Sequence, residues 1–327
     1  MTDRGDEPLS VGVDIGGTKT AAVVLDSHGA IVERYRTATD VGSAGVLGTA
    51  TEVVDALAAA THRQPSDFAS IGVGVPGRVD PHTGMVTHAV HLALENLALG
   101  PLLTDRFTVP VRVENDVNAA AVGAFHLLGM DAGRSMAYLN FGTGVAAGIV
   151  REGVLWRGSG GNAGEVGHIP IDPLGPVCVC GQRGCLEMVA SGSAVARLWP
   201  TDHPRPVQDL MDAARAGDEV AGPVWNGLIG GMASAVRILV RSVDVDVVVL
   251  GGGLVSLGEP MLAAVRQRLM EWGRQSSFLA SLALPSRVRL LDPAGSDNVS
   301  GPAGTPVAAL GAAYLGQVAR PVLAAYK

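Results

Sequence analysis

Residues 10–25 read SVGVDIGGTKTAAVVL, and this stretch carries most of the information about the fold. Its apolar letters form two runs, which the glycine pair at Gly16 and Gly17 separates. Apolar runs of this length on either side of a glycine turn predict two strands joined by a tight turn. A second turn at residues 26–29 precedes a third run, AIVERYR, so a three-stranded meander is expected.

The same order of features recurs further along the chain. MAYLN is followed by the glycine turn FGTG, by VAAGIV, by the turn REG and by VLWRG. An offset of 126 residues aligns Asp14 with Asn140, Gly16 with Gly142, and Val23 and Val24 with Ile149 and Val150. This pattern indicates an internal duplication. It predicts an α/β fold of two similar lobes that present two glycine turns across one cleft.

Helical spacing of apolar residues fills the remainder of both halves. It predicts helices over residues 45–62, 218–243, 259–273 and 306–318. Buried strands are expected at residues 70–75 and at VDVVVL, which ends in three glycines. The lack of a low-complexity linker indicates that ordered helices join the lobes.

Composition excludes several classes of protein. A chain of 327 residues suits two domains, and 47% hydrophobic with 17% charged residues indicates a globular chain throughout. The net charge of −7, with lysine only at Lys19 and Lys327, argues against nucleic acid as a partner. Neither an apolar run of about 18 residues nor a signal peptide is recognisable, so we expect no membrane partner and a cytoplasmic location.

The first glycine turn has the composition of a phosphate site. Successive backbone N–H groups of such a turn can hold phosphate oxygens, and a neighbouring carboxylate can order hydrated Mg²⁺. The residues concerned are Asp14, Gly16, Gly17, Thr18 and Lys19, and the second lobe repeats the pattern with Gly142, Thr143 and Gly144. An ordinary hairpin turn is the alternative for either loop taken alone.

A dinucleotide fingerprint is an apparent competitor. Gly72, Gly74 and Gly77 have the spacing G-x-G-x-x-G after a strand. Pro76 and the segment that follows it are incompatible with the helix start which that fingerprint requires. A Rossmann site is therefore not expected here.

The three cysteines lie within eight positions of one another and follow a histidine. His168, Cys178, Cys180 and Cys185 supply the four ligands of a tetrahedral Zn²⁺ site, and four protein ligands make such a zinc structural. The alternative is three unrelated buried cysteines and a surface histidine. The zinc would brace the loop that carries Glu165 and Glu187.

Asp116 is the candidate general base. It lies in ENDVN, between the strand VRV and the predicted helix AAAVGAFHLLG. An acid at such a junction is often only a helix N-cap. Because two phosphate-type turns point to phosphoryl transfer, and a hydroxyl acceptor needs a base, Asp116 is the best placed carboxylate.

Together these motifs resemble the ROK family of sugar kinases, which have an actin-like ATPase fold. The resemblance runs from Val11 to about Leu315 and rests on DIGGTK, GVPG, ENDVNAAA, FGTG, AGEVGH, CVCGQRGCLE and LGAA. It implies duplicated mixed-sheet, ribonuclease H-like domains around a central cleft. The small lobe would contain residues 1–117 with a C-terminal helix at 305–327, and the large lobe residues 118–304 with a zinc-binding loop at 165–187.

The resemblance also implies an activity and its site. ATP with Mg²⁺ would phosphorylate the 6-hydroxyl of a hexose, glucose by default, with Asp116 as base. Asp14 and both glycine turns would serve phosphate and Mg²⁺, and Gly251, Gly252 and Gly253 would border the adenosine. The sugar would contact Gly74, His91, Asn115, Asp116, Glu165, His168 and Glu187, with the other His168 nitrogen on zinc. Family members are commonly homodimers or homotetramers.

Three departures from the family pattern leave the acceptor open. His91 and Leu94 stand where an Asn and an aromatic residue are usual, Ala146 and Ala147 replace glycines, and Asn140 replaces a Thr. An N-acyl hexosamine, mannose or a sugar-like cyclitol is therefore an alternative acceptor, and a non-catalytic sugar-binding or regulatory protein is an alternative function. A DNA-binding repressor is not expected, because residues 1–10 are too few for a helix-turn-helix.

Overall fold

The computed structural model describes residues 7–291 and 306–317. Its backbone contacts divide the chain into two compact units. The first unit extends to Leu127 and includes the helix at Val307–Gln317, and the second begins at Leu128. Each unit has its own hydrophobic core, so each is described separately.

The first unit contains eight strands and four α-helices among its described residues. In chain order they are β1 (Ser10–Ile15), β2 (Lys19–Leu25), β3 (Ile31–Ala38), α1 (Gly42–Ala60), β4 (Ser70–Val75), β5 (Arg78–Asp80), β6 (Met85–Ala89), β7 (Leu94–Leu97), α2 (Leu99–Phe107), β8 (Val111–Asn115), α3 (Asp116–Leu127) and, from the end of the chain, α11 (Val307–Gln317).

The main sheet of this unit has the strand order β3-β2-β1-β4-β8, and β5, β6 and β7 form a small separate sheet. β2 is antiparallel to β1 and β3, whereas β1, β4 and β8 are mutually parallel. In this register Asp14 lies beside Gly74, and Gly74 lies beside Glu114. The carboxyl ends of the three parallel strands therefore meet at one edge of the sheet.

Helices cover both faces of this sheet. The apolar stripe predicted for residues 45–62 is the buried face of α1, with Val46, Val53 and Leu57 fully buried. The apolar helix α11 packs on β1, β4 and α3. The helix predicted at 306–318 is thus observed from Val307 to Gln317, and residue 318 lies outside the described residues.

The second unit contains five strands and seven α-helices among its described residues. They are β9 (Met136–Phe141), β10 (Val145–Arg151), β11 (Val154–Leu155), α4 (Glu187–Ala190), α5 (Gly192–Leu198), α6 (Pro206–Arg215), α7 (Ala221–Val243), β12 (Val247–Gly251), α8 (Glu259–Gln275), α9 (Ser277–Ser281), α10 (Leu284–Arg287) and β13 (Val288–Leu290). The sheet order is β11-β10-β9-β12-β13, with β12 parallel to β9 and β13.

The predicted duplication is confirmed by the matching strand orders of the two sheets. A shift of 126 residues carries Ser10–Ile15 onto Met136–Phe141 and Lys19–Leu25 onto Val145–Arg151. The turns differ in detail. The N–H of Gly16 donates to the carbonyl of Lys19, whereas the N–H of Gly142 donates to the carbonyl of Gly144, so the second turn closes one residue sooner.

The division between the units lies ten residues beyond the boundary expected at residue 117. Helix α3 belongs wholly to the first unit, because its backbone at Ala119 and Gly123 packs closely against α11. Within the second unit, α7 is long and apolar enough to cross a membrane. About half of it is buried in the core, as is usual for the central helix of a globular unit.

Candidate functional site

The junction between β8 and α3 fixes the position of Asp116. The side-chain Oδ1 of Asn115 accepts the backbone N–H groups of Val117 at 2.9 Å and Asn118 at 3.2 Å, so Asn115 caps the helix. Its Nδ2 donates to the carbonyl of Gly77 at 3.1 Å. Asn115 therefore orients the first turn of α3, and its side chain also hydrogen-bonds to Asp116.

Glu114 supports the same junction, although its role could not be assigned from the sequence. The side chain is 5% exposed. Its Oε1 accepts the backbone N–H of Asn115 and the side-chain Nδ2 of Asn118, both at 3.0 Å. Two features of the sequence could have indicated this role. Glu114 is an acidic residue within strand β8, and it precedes Asn118 by four positions.

Asp14 and Asp116 form an acidic pair at the carboxyl edge of the first sheet. Burial, and then the charge of Asp116, raise the pKa of the Asp14 carboxyl to about 7. Burial also raises the pKa of Asp116, against the opposing effect of its hydrogen bond from the backbone N–H of Val117. Gly74, the neighbour of Asp14 across β1 and β4, lies against the start of α3, because a Cβ at Gly74 would lie 3.3 Å from the Cβ of Ala119 and 3.6 Å from the Cα of Asp116.

His91 lies beside the same pair. It belongs to a short 3-10 helix, Val90–Leu92, and its side chain is exposed. A Cβ built on Gly17 would lie 3.3 Å from the Cβ of His91, and the imidazole charge lowers the pKa of Asp116. Leu94, which stands where the family usually has an aromatic residue, is buried. It is 3% exposed and packs in the core of the first unit.

The glycine turns of the second unit lie next to each other. Gly251 pairs with Asn140 across β12 and β9. A Cβ on Gly252 would lie 2.5 Å from the carbonyl oxygen of Phe141, directly before the turn of Gly142, Thr143 and Gly144. Gly253 begins a 3-10 helix, Gly253–Leu257. The turns expected to contact adenosine and phosphate are therefore neighbours.

Ala146 and Ala147, which replace glycines of the family pattern, lie in strand β10 and not in a loop. Ala146 pairs with Asn140 and Ala147 with Leu139 within the regular hairpin of β9 and β10. The backbone N–H of Ala147 also donates to the carbonyl of Gly164 at 2.8 Å. This hydrogen bond ties the segment AGEVGH to the edge of the glycine turn.

His168, Cys178, Cys180 and Cys185 converge as the sequence predicted. Their ligand atoms all lie within 4.8 Å of one another. The distance between the Sγ atoms of Cys180 and Cys185 is 3.6 Å, and the distance from Cys178 Sγ to His168 Nδ1 is also 3.6 Å. A zinc tetrahedron with bonds of about 2.3 Å has edges of about 3.8 Å, so the donor set fits Zn²⁺. The backbone N–H of Gln182 lowers the pKa of the Cys180 thiol to about 6, which favours the thiolate.

Glu187 connects this cluster to the phosphate turn of the same unit. Its Oε1 lies 3.4 Å from His168 Nδ1 and accepts the thiol hydrogen of Cys178 at 3.1 Å. Its Oε2 would lie 3.1 Å from a Cβ on Gly144. Glu165, by contrast, is exposed and precedes the 3-10 helix Val166–His168.

The candidate residues thus form one group in each unit. The first unit brings together the turn Gly16–Lys19 with Asp14, Gly74, His91, Asn115 and Asp116. The second unit brings together the turns at 142–144 and 251–253 with Glu187, His168 and the three cysteines.

Two five-stranded sheets of the same order, each with an antiparallel hairpin that closes on a glycine turn, define an actin-like ATPase fold. The profile of the ROK family matches residues 10–288. The chain belongs to the ROK family.

Relatives with assigned activities are similar over most of the chain. Glucokinase of Halalkalibacterium halodurans is 34% identical over 287 residues, which are 82% of this chain and 86% of that enzyme. N-acetylmannosamine kinase of Yersinia pseudotuberculosis is 34% identical over 251 residues, which are 74% of this chain and 82% of that enzyme. The solved ROK glucokinase of Streptomyces griseus with glucose and AMPPNP superposes with a TM-score of 0.72 at 29% identity, covering 94% of this chain and 99% of that chain.

Proposed function

We propose that this protein is an ATP-dependent sugar kinase that transfers the γ-phosphate of ATP to the 6-hydroxyl of a hexose. The observation that carries the proposal is the position of Asp116, at the start of α3 and beside Asp14. A carboxylate at this place, next to a glycine turn, has the arrangement that phosphoryl transfer to a hydroxyl requires. Similarity to kinases over more than four fifths of the chain supports the same conclusion.

Asp116 acts as the general base. It takes the proton of the 6-hydroxyl as that oxygen attacks the γ-phosphate. Burial raises the pKa of the Asp116 carboxyl, which strengthens it as a proton acceptor. The cap formed by Asn115 holds Asp116 in one orientation, so little reorganisation is needed when the hydroxyl arrives.

The glycine turns bind the phosphates. The N–H groups of Gly16, Gly17 and Thr18, together with Lys19, are the proposed phosphate contacts of the first unit, and those of Gly142, Thr143 and Gly144 are the proposed contacts of the second. Gly251, Gly252 and Gly253 border the adenosine. Mg²⁺ neutralises charge on the phosphates when it is bound, and Asp14 is the carboxylate that would hold its hydration shell.

Zinc has a structural role in this proposal. Cys178, Cys180, Cys185 and His168 would hold the ion, and the ion would fix the loop from which Glu187 reaches the turn of Gly144. His168 presents Nδ1 to the thiols, so its Nε2 is available to a sugar hydroxyl. Glu165, Asn115 and Gly74 complete the sugar contacts carried over from the family.

Glucose is the acceptor we expect first, because the glucokinase of Halalkalibacterium halodurans and the Streptomyces griseus glucokinase solved with glucose are both similar over more than four fifths of the chain. N-acetylmannosamine is the second candidate, supported by the Yersinia pseudotuberculosis relative and by the unusual His91. A homodimer or homotetramer is part of the proposal through the family alone. A cytoplasmic location is part of it because zinc-bound thiolates persist in a reducing compartment.

Coupled ADP release tests this function. Zinc-replete protein is given MgATP with glucose, mannose, N-acetylglucosamine, N-acetylmannosamine, fructose or a cyclitol. We expect turnover with one acceptor and a loss of at least about 10²-fold in Asp116→Asn, the usual contribution of a general base. Asp105→Asn, an exposed acid of the same unit, is the matched control.

Undiminished turnover in Asp116→Asn would contradict the assignment of the base. If protein that still binds ATP releases no ADP with any acceptor, the result would favour the non-catalytic sugar-binding alternative.

A further inference from the structure

A cavity open to solvent lies on the second unit, among residues to which the proposed function assigns no role. It has a volume of about 430 Å³. One wall is the segment 169–171, which directly follows His168, and the other is the face of α7 that carries Arg237, Ile238, Arg241 and Ser242. The lining contains two arginines and no carboxylate.

The two arginines repel each other. Arg237 and Arg241 are four positions apart on α7, so they lie on one face of the helix, where like charges destabilise it. Burial, and then the charge of Arg241, lower the pKa of Arg237. Within residues 7–291 and 306–317, neither guanidinium has an ion pair or a hydrogen bond. Their positive charge is therefore uncompensated inside the cavity.

Aromatic rings support both guanidiniums. The Cζ of Arg237 lies 4.5 Å from the ring centroid of Trp272, and the Cζ of Arg241 lies 5.7 Å from that of Phe278. A guanidinium that packs its face on a ring keeps its N–H edge for a ligand. The negative end of the α7 dipole accounts for a cation in the last turn, at Arg241, but not for Arg237 one turn earlier.

We propose that this cavity binds a small phosphate monoester. The dianionic phosphate would accept hydrogen bonds from Arg237 and Arg241 and relieve their repulsion. Ile169 and Ile171, which are 37% and 36% exposed, offer an apolar wall to the organic group of the ester. An ester should therefore bind more tightly than free phosphate.

Calorimetric titration tests the site without any need for turnover, so its outcome is independent of the proposed function. Glucose 6-phosphate and inorganic phosphate are titrated into wild-type protein, R237Q/R241Q and R215Q. Arg215 lines a different hollow of about 580 Å³, whose lining also includes Glu259, so it is the control for an exposed arginine outside the proposed site. Binding around Asp116 is common to all three proteins and cancels in the comparison.

We expect the affinity for glucose 6-phosphate to fall at least about tenfold in R237Q/R241Q and to stay unchanged in R215Q, because hydrogen bonds between charged groups are lost. We expect inorganic phosphate to bind more weakly than the ester in wild-type protein. If the double variant does not fold, R241Q, which changes only the exposed arginine, replaces it.

Four results would overturn the proposal. Three concern affinity: equal affinity in R237Q/R241Q and wild type, an equal loss in R215Q, and equal affinity of wild type for phosphate and the ester. A change of mass in light scattering with no change in anion affinity would also overturn it, since the arginines would then contact another protein chain.

Discussion

Glu187 is the residue through which the cysteine cluster contacts the phosphate turn of its own unit. One carboxylate oxygen lies at Cys178 and His168, and the other lies at Gly144. Because the side chain is only 14% exposed, its charge acts at short range and with little screening by water. Its placement depends on the loop that the four metal ligands close.

Glu187→Gln keeps the size of this side chain and removes its charge. We expect the protein to retain zinc, since Glu187 is not a ligand, and to lose at least about tenfold in kcat/KM for the sugar, the effect of one buried charged hydrogen bond. Steady-state kinetics and metal analysis measure the two properties. Glu219→Gln, at an exposed acid of the same unit that lies outside the proposed site, is the control, and loss of zinc in Glu187→Gln would contradict the expectation.

Asp14 gives stability a pH dependence. Its pKa is about 7 in the folded chain and 3.8 in the unfolded chain, so the folded state binds the additional proton between these values. Stability from this group is complete below pH 3.8 and is lost as the pH rises to about 7. The loss is on the order of 3–4 kcal/mol, reduced by water at this half-buried carboxyl.

Asp14→Asn should therefore be more stable than wild type at pH 8, and the difference should shrink towards pH 4. Urea unfolding followed by far-ultraviolet circular dichroism, without nucleotide, measures it. A difference that does not change with pH would show that the Asp14 carboxyl is ionised in both states.

The sequence predicted which residues would lie close together better than it predicted their local hydrogen bonds. Asp116 and the metal ligands were recognisable because an isolated acid at a helix start and a cysteine cluster are local patterns. Asn115 was predicted to contact the sugar, but its hydrogen bonds to Gly77 and to the first turn of α3 were not predicted. Such assignments depend on partners distant in sequence, such as Gly77, which no local pattern contains.

At the scale of elements, the crossing of α3 and α11 is the tightest helix contact of the first unit. Both helices have glycine at the crossing, and a Cβ on Gly311 would lie 1.7 Å from the carbonyl oxygen of Ala119. The two backbones are therefore in direct contact, and neither can accept a side chain without separating.

Gly311→Ala should destabilise the protein by at least about 3 kcal/mol, because overpacking outweighs the better helix propensity of alanine. Gly48→Ala is the matched control. Gly48 is an exposed glycine of α1 with open space around it, so alanine should stabilise by roughly 0.5–1 kcal/mol. Urea unfolding measures both, and a neutral Gly311→Ala would mean that the helices can move apart.

At the scale of the whole molecule, the two units have separate cores and differ in their tryptophan content. Trp156, Trp199, Trp225 and Trp272 are the four tryptophans of the chain, and all belong to the second unit. The proposed zinc site is in the same unit. Tryptophan fluorescence therefore reports on the unit that the metal would stabilise.

We expect about one zinc per chain, and we expect chelation to lower the unfolding midpoint seen by tryptophan fluorescence. A bound metal stabilises the state that binds it, so its removal acts on the second unit. Cys180→Ser should reproduce the shift without a chelator and weaken sugar binding. Protein purified without chelators that contains no zinc would refute the site.

The duplication made the architecture predictable. Two hairpins of the same length with a glycine turn were visible as a repeat, and the strand orders confirmed it. The sequence did not show to which lobe α3 belongs, because Asp116 and the residues after it are equally compatible with the start of the second lobe. Only the contact with α11, from the far end of the chain, assigns the helix to the first unit.

That contact has a consequence for protein synthesis. β1 and β4 are translated early, whereas α11, which covers them, leaves the ribosome about 180 residues after α3. At a translation rate of 5–20 residues per second, roughly 10–40 s pass between the synthesis of α3 and that of α11, and this face of the sheet stays uncovered during that time. The second unit is complete before then and can fold first, while the nascent first unit exposes an apolar surface of the kind that chaperones bind.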